Sequence, residues 1–432
     1  MTVSGPCMNG HQAPQAPIMP QCPVRADFPE AGFLLWTTFE YVCKFVKPFR
    51  GSVTIQLVTT TPLFVDRPAI RALQSSRTMP IKDQTMPVQM PDADIISFKT
   101  RAYDALHNLA SGRCSVSDIY HADARYWGSH PINEIAGMDA IADVWTKLRH
   151  AMPDLERRDS IFTGGIGKPD SRMPADVAGR QLVASMGVIQ GTMTGDLFDI
   201  PATNGVVHLR VCEVHHLRDG RIAHSYVLFD FLDLMRQAGV WPMAPSLGAE
   251  GMWPAPTTQG VRITENDGKA GQNSMDIVLG MHEALGSFDG KSVHSMKHGD
   301  AWTGDFLWYG PAGIGSTRGI AGFQQHHQIP FLVGWPDRQG AGHYVRIADA
   351  NFVVTGGWPS VRGTHLGEWL GLPPTGRKVD MRVMDFYHLV DGRIHENWVP
   401  IDIIHIMLQM GVDVFARLRH LRGAAPTDLP QQ

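Results

Sequence analysis

Cys212-Glu-Val-His-His-Leu-Arg-Asp-Gly-Arg-Ile-Ala-His224 returns later in the chain as Met384-Asp-Phe-Tyr-His-Leu-Val-Asp-Gly-Arg-Ile-His-Glu396. The register continues on both sides. Asp230 falls on Asp402, Met235 on Met407 and Gly239 on Gly411, and upstream Arg210 falls on Arg382, Pro201 on Pro373 and Gly195 on Gly367. With a modest gap, Ile135-Ala-Gly-Met138 meets Arg318-Gly-Ile-Ala321, each shortly after an aromatic pair, Tyr126-Trp127 and Trp308-Tyr309. Such a series marks a tandem duplication of a unit of about 150 residues. Each unit opens on a helical stripe: Phe98, Ala102, Ala105 and Leu109 in the first, and Ile277, Met281, Ala284 and Phe288 in the second. Strand-like runs follow, among them residues 346–354 and 379–390. Helix first and strands after, without regular βαβ alternation, predicts α+β units with a mainly antiparallel sheet.

The remaining organisation follows from composition. The chain has 432 residues, enough for two to three domains, yet 12 of its 30 prolines fall in residues 1–92. That stretch is expected to be a poorly ordered leader, with Met86 and Met90 as alternative starts and a membrane-touching or docking segment as the competing reading. Residues 93–241 are then the first unit, 242–271 a Pro/Gly-rich linker, 272–422 the second unit and 423–432 a tail. Lys and Arg number 38 against 42 Asp and Glu, a balance that points away from nucleic acid. No apolar run approaches the length of a membrane span, and the N-terminal residues lack the pattern of a secretory signal. Five cysteines in no CxxC pair argue against a disulfide framework or a cysteine zinc site, and the expected setting is cytoplasmic.

The Asp-Gly pairs Asp219-Gly220 and Asp391-Gly392 each lie between strand-like runs and predict hairpins. A two-residue turn at Asp391-Gly392 sets Val390 against Arg393 and puts His388 on the opposite face from Trp398 and Asp402. A three-residue loop with a bulge instead gathers His388, Glu396 and Trp398 on one face, with Asp402 if the strand extends that far. Asp402 and Asp230 sit among large apolar neighbours, where poor solvation should raise their proton affinity toward neutrality and suit them to proton transfer. The competing reading is a helix N-cap, since the residues after Asp402 look helical.

Gly363-Thr-His-Leu-Gly-Glu-Trp-Leu-Gly-Leu-Pro-Pro-Thr-Gly-Arg377, followed by His388-Leu-Val-Asp-Gly-Arg-Ile-His-Glu-Asn-Trp398 and Asp402, resembles the SnoaL-like polyketide cyclases, many of them described as ester cyclases, of the nuclear transport factor 2-like superfamily. The resemblance covers most of residues 275–421. It is weaker over residues 95–239, where Met193 stands for His365, Ala202 for Pro374 and Tyr226 for Trp398. It implies two tandem cone-shaped α+β barrels, each a curved antiparallel sheet closed by helices around an apolar pocket. It implies Asp402 as general acid/base and His388 as polariser of a substrate carbonyl, with Asp230 and His216 as their counterparts at the same spacing. It implies neither metal nor organic cofactor. The family's cyclases are single-unit chains, whereas this one has two units.

Trp308 and Trp398 are picked to line the pocket, with Trp369, Tyr226, Trp127 and His365 as further contacts to a flat apolar ligand. His215-His216 and His326-His327 are read as core or solvated histidines: adjacent strand residues point to opposite faces, and adjacent helical ones chelate poorly. The expected function is a cyclase, isomerase or hydrolase acting on a small, largely apolar carbonyl compound by Asp acid/base chemistry. The alternative is a non-catalytic tandem barrel that binds an apolar molecule or a protein partner. Association is expected either as an internal pairing of the two units or as a homo-oligomer.

Overall fold

The structure, a computed structural model, describes residues 90–168 and 179–423. The expected leader lies outside them but for its last three residues, and the expected tail but for Gly423. The first unit comprises α1 (Asp92–Ala110), α2 (Val116–Ile119), β1 (Tyr120–Gly128), β2 (Glu134–Ala136), α3 (Met138–Ala151), β3 (Glu156–Ile166), β4 (Gln181–Thr192), β5 (Val206–Arg218), β6 (Arg221–Phe229) and α4 (Phe231–Gln237). After β7 (Gly260–Val261), the second unit begins with α5 (Gly268–Leu285), β8 (Trp302–Tyr309), β9 (Thr317–Arg318) and α6 (Gly319–Phe323). One π-helical turn (Gln324–Gln328) leads into α7 (Ile329–Gly334). Then come β10 (Gln339–Gly340), β11 (Val345–Asp349), β12 (Phe352–Thr364), β13 (Lys378–Val390), β14 (Arg393–Trp398), α8 (Ile403–Gln409) and α9 (Val414–Leu421). Among these residues no helix is long and apolar enough to cross a membrane.

The α+β class and the duplicated order hold, but the sheets do not close into barrels. One runs β2-β1-β6-β5-β4-β3-β7 and the other β10-β12-β13-β14-β8-β9, with β11 on β12. Both are open and mixed, because β1 joins β6 in parallel and β8 joins β14 in parallel. Their edge strands, two to five residues long, do not pair with one another, which leaves each sheet open with helices on one face. The run over 346–354 is two strands, turned at Ala350, whose φ is 50°.

Both hairpins differ from either alternative. Asp391 and Gly392 have φ of 49° and 72°, and Val390 faces Arg393, a two-residue turn of primed type. One pair further on, an extra residue on β14 shifts the register, so His388 faces Glu396. The bulge lies in the strand and not in the loop, and His388, Glu396 and Trp398 do share a face.

That face is turned toward the other unit. Met384, Phe386 and Trp398 pack with Ile161, Leu182, Ala184, Cys212, Val214 and Leu228 in one apolar cluster between the two sheets. Tyr226 of β6 stacks on Tyr344 of the second unit with ring centroids 3.8 Å apart. The opposite faces bury the helices. Residues 242–271 are no free tether: Gly260 and Val261 pair with β3, the Trp398 Nε1–H donates to the Pro254 carbonyl at 3.0 Å, and Thr257 binds Glu396.

Candidate functional site

Asp402 is 4% exposed and fully engaged. Its Oδ1 accepts the His405 N–H at 3.1 Å and so caps α8, while its Oδ2 accepts from Arg382 Nη1 at 3.0 Å and from the His130 N–H of the first unit at 2.9 Å. Asp230 does the same in reverse. It caps α4 through the Asp233 N–H at 3.0 Å, pairs with Arg210 Nη1 at 3.1 Å and accepts the Ala312 N–H of the second unit at 3.0 Å. Each duplicated Asp–Arg pair therefore clasps the other unit's backbone. Burial pushes both carboxyls above the ordinary range, against the pull of Arg382 and Arg210. The expected elevation and the expected cap both exist, but Asp402 lines no cavity and Asp230 borders only a cleft of about 10 Å³ beside Arg210 and Trp253.

The other predicted residues divide in the same way. His388 Nδ1 lies 2.8 Å from Glu396 Oε2, between the sheets, with its ring on Phe352. His216 is buried beside Tyr226 and His224, and burial lowers its pKa to about 3, leaving it neutral. Trp398 stacks on Tyr309, and Trp127 on Tyr226, both at the sheet–sheet face. Trp369 and His365 pack against Trp335, with His365 Nδ1 3.1 Å from Thr375 Oγ1. Of the whole set, Trp308 alone lines the cavity described next.

The helix-covered face of the second sheet encloses a cavity of about 540 Å³. Side chains alternate across a strand, so it is the odd-numbered residues of β13 that face inward: Met381, Val383, Asp385 and Tyr387. Asn397, Val399 and Ile401 continue the wall, and Trp302, Trp308, Phe323 and Phe331 make it largely apolar. Among the described residues Asp385 is its sole Asp or Glu. Burial pushes the Asp385 carboxyl up to about 7, although the Tyr387 hydroxyl and the Asn397 amide hydrogen-bond to it. Tyr387 Oη lies 3.0 Å from His282 Nε2. A phenol has one proton, so with that proton given to Asp385, His282 donates to the phenol oxygen.

Two histidines outside the predicted set also reach this cavity. His298 stacks on Trp302 and Phe323, and His327 lies 4.0 Å from Trp308 between ring centroids. Burial lowers them to about 4 and about 3, so both are neutral. Among the described residues neither ring nitrogen of His298 has a partner, nor has Nδ1 of His327. His327 is therefore no solvated histidine: the π-helical turn rotates it inward, a distortion common at functional sites.

The first unit fills the matching place with ions. Glu213 stands at the register position of Asp385, His215 at that of Tyr387 and Ser225 at that of Asn397. Glu213 Oε2 lies 2.5 Å from Arg157 Nη1, and Arg157 also pairs with Asp159 at 2.8 Å. Burial pushes the Glu213 carboxyl up, but the charge and hydrogen bond of Arg157 and those of His215 together outweigh it and hold the group below its ordinary value. No base near neutrality results.

These two arrangements can be set beside known proteins. No curated protein matches the chain. Among solved structures it is similar to a SnoaL-like polyketide cyclase from Jannaschia sp. CCS1, at 20% identity over 34% of this chain and 98% of that one, with a TM-score of 0.30. It is also similar to IdmH from Streptomyces antibioticus, described as a polyketide cyclase, at 26% identity over 32% and 99% of the two chains, with a TM-score of 0.26. A third is an NTF2-like protein from Burkholderia xenovorans LB400, at 16% identity over 32% and 97%, with a TM-score of 0.25. The family model for the SnoaL-like polyketide cyclases matches twice, over residues 169–238 and 292–410. One match falls in each half of the chain, so two tandem regions match the model of the SnoaL-like polyketide cyclases.

Proposed function

We propose that the second unit is the working one, a cyclase- or isomerase-type enzyme that moves a proton on a small, largely apolar carbonyl compound. The observation that carries this is Asp385, a carboxyl brought to about 7 on the wall of a cavity in which it is, among the described residues, the sole Asp or Glu. A base poised near the working pH has both the right protonation state and adequate driving force. In this reading Asp385 takes a proton from the carbon next to the carbonyl, and the C–H electron pair moves onto the carbonyl oxygen as an enolate. The neutral imidazoles of His298 and His327 supply N–H donors for that oxygen. The enolate carbon then adds to a second carbonyl carbon of the same molecule, whose C=O π pair moves onto its oxygen and takes the proton from Asp385, or it is reprotonated by Asp385 at another position. Trp308 forms a flat wall over the bound body. We assign the acid/base role to Asp385 in place of Asp402, and treat Asp402, Asp230, His388 and His216 as residues that hold the units together.

A scaffold role for the first unit is favoured by the Arg157–Glu213 pair, which occupies the place of the base. The test is a carboxyl-observed NMR titration of the full chain, with Asp385→Asn to assign the resonance. An apparent pKa near 7 that vanishes in the variant is expected. A value near 4 overturns the assignment.

A further inference from the structure

Resting on that reading of the cavity, we infer that the ligand carries a carboxylate, held at the cavity mouth by Arg338. Arg338 is the one Lys or Arg among the residues lining the cavity. Its guanidinium lies 5.5 Å from the Phe288 ring centroid and 6.0 Å from that of Phe331, so two phenyl faces fix it in place. Among the described residues no carboxylate pairs with it. The adjacent Asp337 is turned away, its Oδ1 accepting the Thr364 N–H at 2.7 Å.

A half-buried cation held between aromatic rings, with no carboxylate beside it among the described residues, leaves its guanidinium open to a ligand's negative charge. The guanidinium fork matches a carboxylate in two parallel hydrogen bonds. One cation balances one negative charge, which favours a carboxylate over a phosphate dianion. Arg338 at the mouth and Asp385 on the sheet wall then set the substrate's direction. Its acid end points outward, its apolar body lies against Trp308, and its reacting carbon is within the cavity.

The probes are 9-anthracenecarboxylate and its methyl ester, which share one flat apolar body and differ in charge. Binding to the full chain is measured by titration calorimetry at pH 8. Wild type is expected to prefer the acid by on the order of tenfold, the size of one charge-assisted pair. Arg338→Gln should abolish that preference while leaving ester affinity within about twofold, and Arg338→Lys should restore part of it. A residue that only shaped the mouth would change both affinities alike. Equal affinity of wild type for the two probes, with the ester still bound, overturns this inference and leaves the cavity reading standing. Failure of both probes to bind overturns the two together.

Discussion

Replacing Asp385 with Asn isolates the proposed base without knowledge of the substrate. Asn keeps the shape and one oxygen to accept from Tyr387 or Asn397, but cannot ionise. In the folded chain the Asp385 carboxyl holds its proton up to about 7, whereas an unfolded Asp releases it near 4. Between these values the native state binds more protons than the unfolded one, so ionisation of Asp385 costs stability as pH rises through the window. The Asn variant is spared that cost, and every other titrating group cancels in the comparison. With about 1.4 kcal/mol per unit, the variant should exceed wild type by about 1.5 kcal/mol at pH 5 and by about 4 kcal/mol at pH 8.5, levelling off above 7. Urea unfolding followed by tryptophan fluorescence at the two pH values gives the difference directly, provided the slopes with denaturant agree. A pH-independent difference, or a variant less stable at pH 8.5, would refute the claim that burial has raised this carboxyl. Once a substrate is in hand, the same variant should lose on the order of 10²–10⁴-fold in turnover.

The duplicated aspartates should behave in the opposite way. Asp402→Ala leaves Arg382 buried without its partner and uncaps α8, and should cost about 3–5 kcal/mol in denaturant unfolding. The affinity of the folded variant for the anthracene ester should be unchanged. Glu396 is governed by acid: burial raises its carboxyl, but the bonds from His388 and Thr257 outweigh burial and leave it below its ordinary value. A lowered carboxyl contributes stability that is present above about 4.5 and lost as pH falls through its folded value. Glu396→Gln should therefore flatten the acid limb of the stability profile, measured as melting temperature between pH 6 and pH 3.

How much of this was legible in the sequence follows from what a repeat can report. Periodicity and turn chemistry sufficed for the helix at the head of each unit, for β13 and for both Asp-Gly hairpins. The open sheets were not legible, because closure depends on which edges meet, and that is decided by pairings between distant strands. The cavity-facing residues lie on the strand face opposite the one picked from the sequence. His388 and Trp398 lie on the even-numbered face of their strands, and Asp385, Tyr387 and Asn397 on the odd one. Since strand side chains alternate, such a slip exchanges a cavity wall for a packing surface. The deciding bulge sits within β14, where no glycine or proline marks it.

The duplication itself supplies the criterion that would have separated the faces. Two units that clasp each other impose the same demands on both copies, so the clasp recurs in both: Arg210 with Arg382, and Asp230 with Asp402. A site that works in only one unit is free to differ in the other, and the inward positions do differ: Asp385 against Glu213, Tyr387 against His215, Asn397 against Ser225. The difference has chemical content. A carboxyl stands at both places, but in the first unit Arg157 lies beside it and keeps it ionised. In the second its neighbours are Tyr387 and Asn397, neutral donors too weak to offset burial. Moving the base function to the first unit would therefore require removal of the Arg157 charge, and Arg157→Met alone would leave both Asp159 and Glu213 buried without it, a change that should unfold the unit before it activates it. On the proposed reading, the repeated Asp–Arg pairs mark the joint, and the place where the copies part is where the chemistry is to be tested.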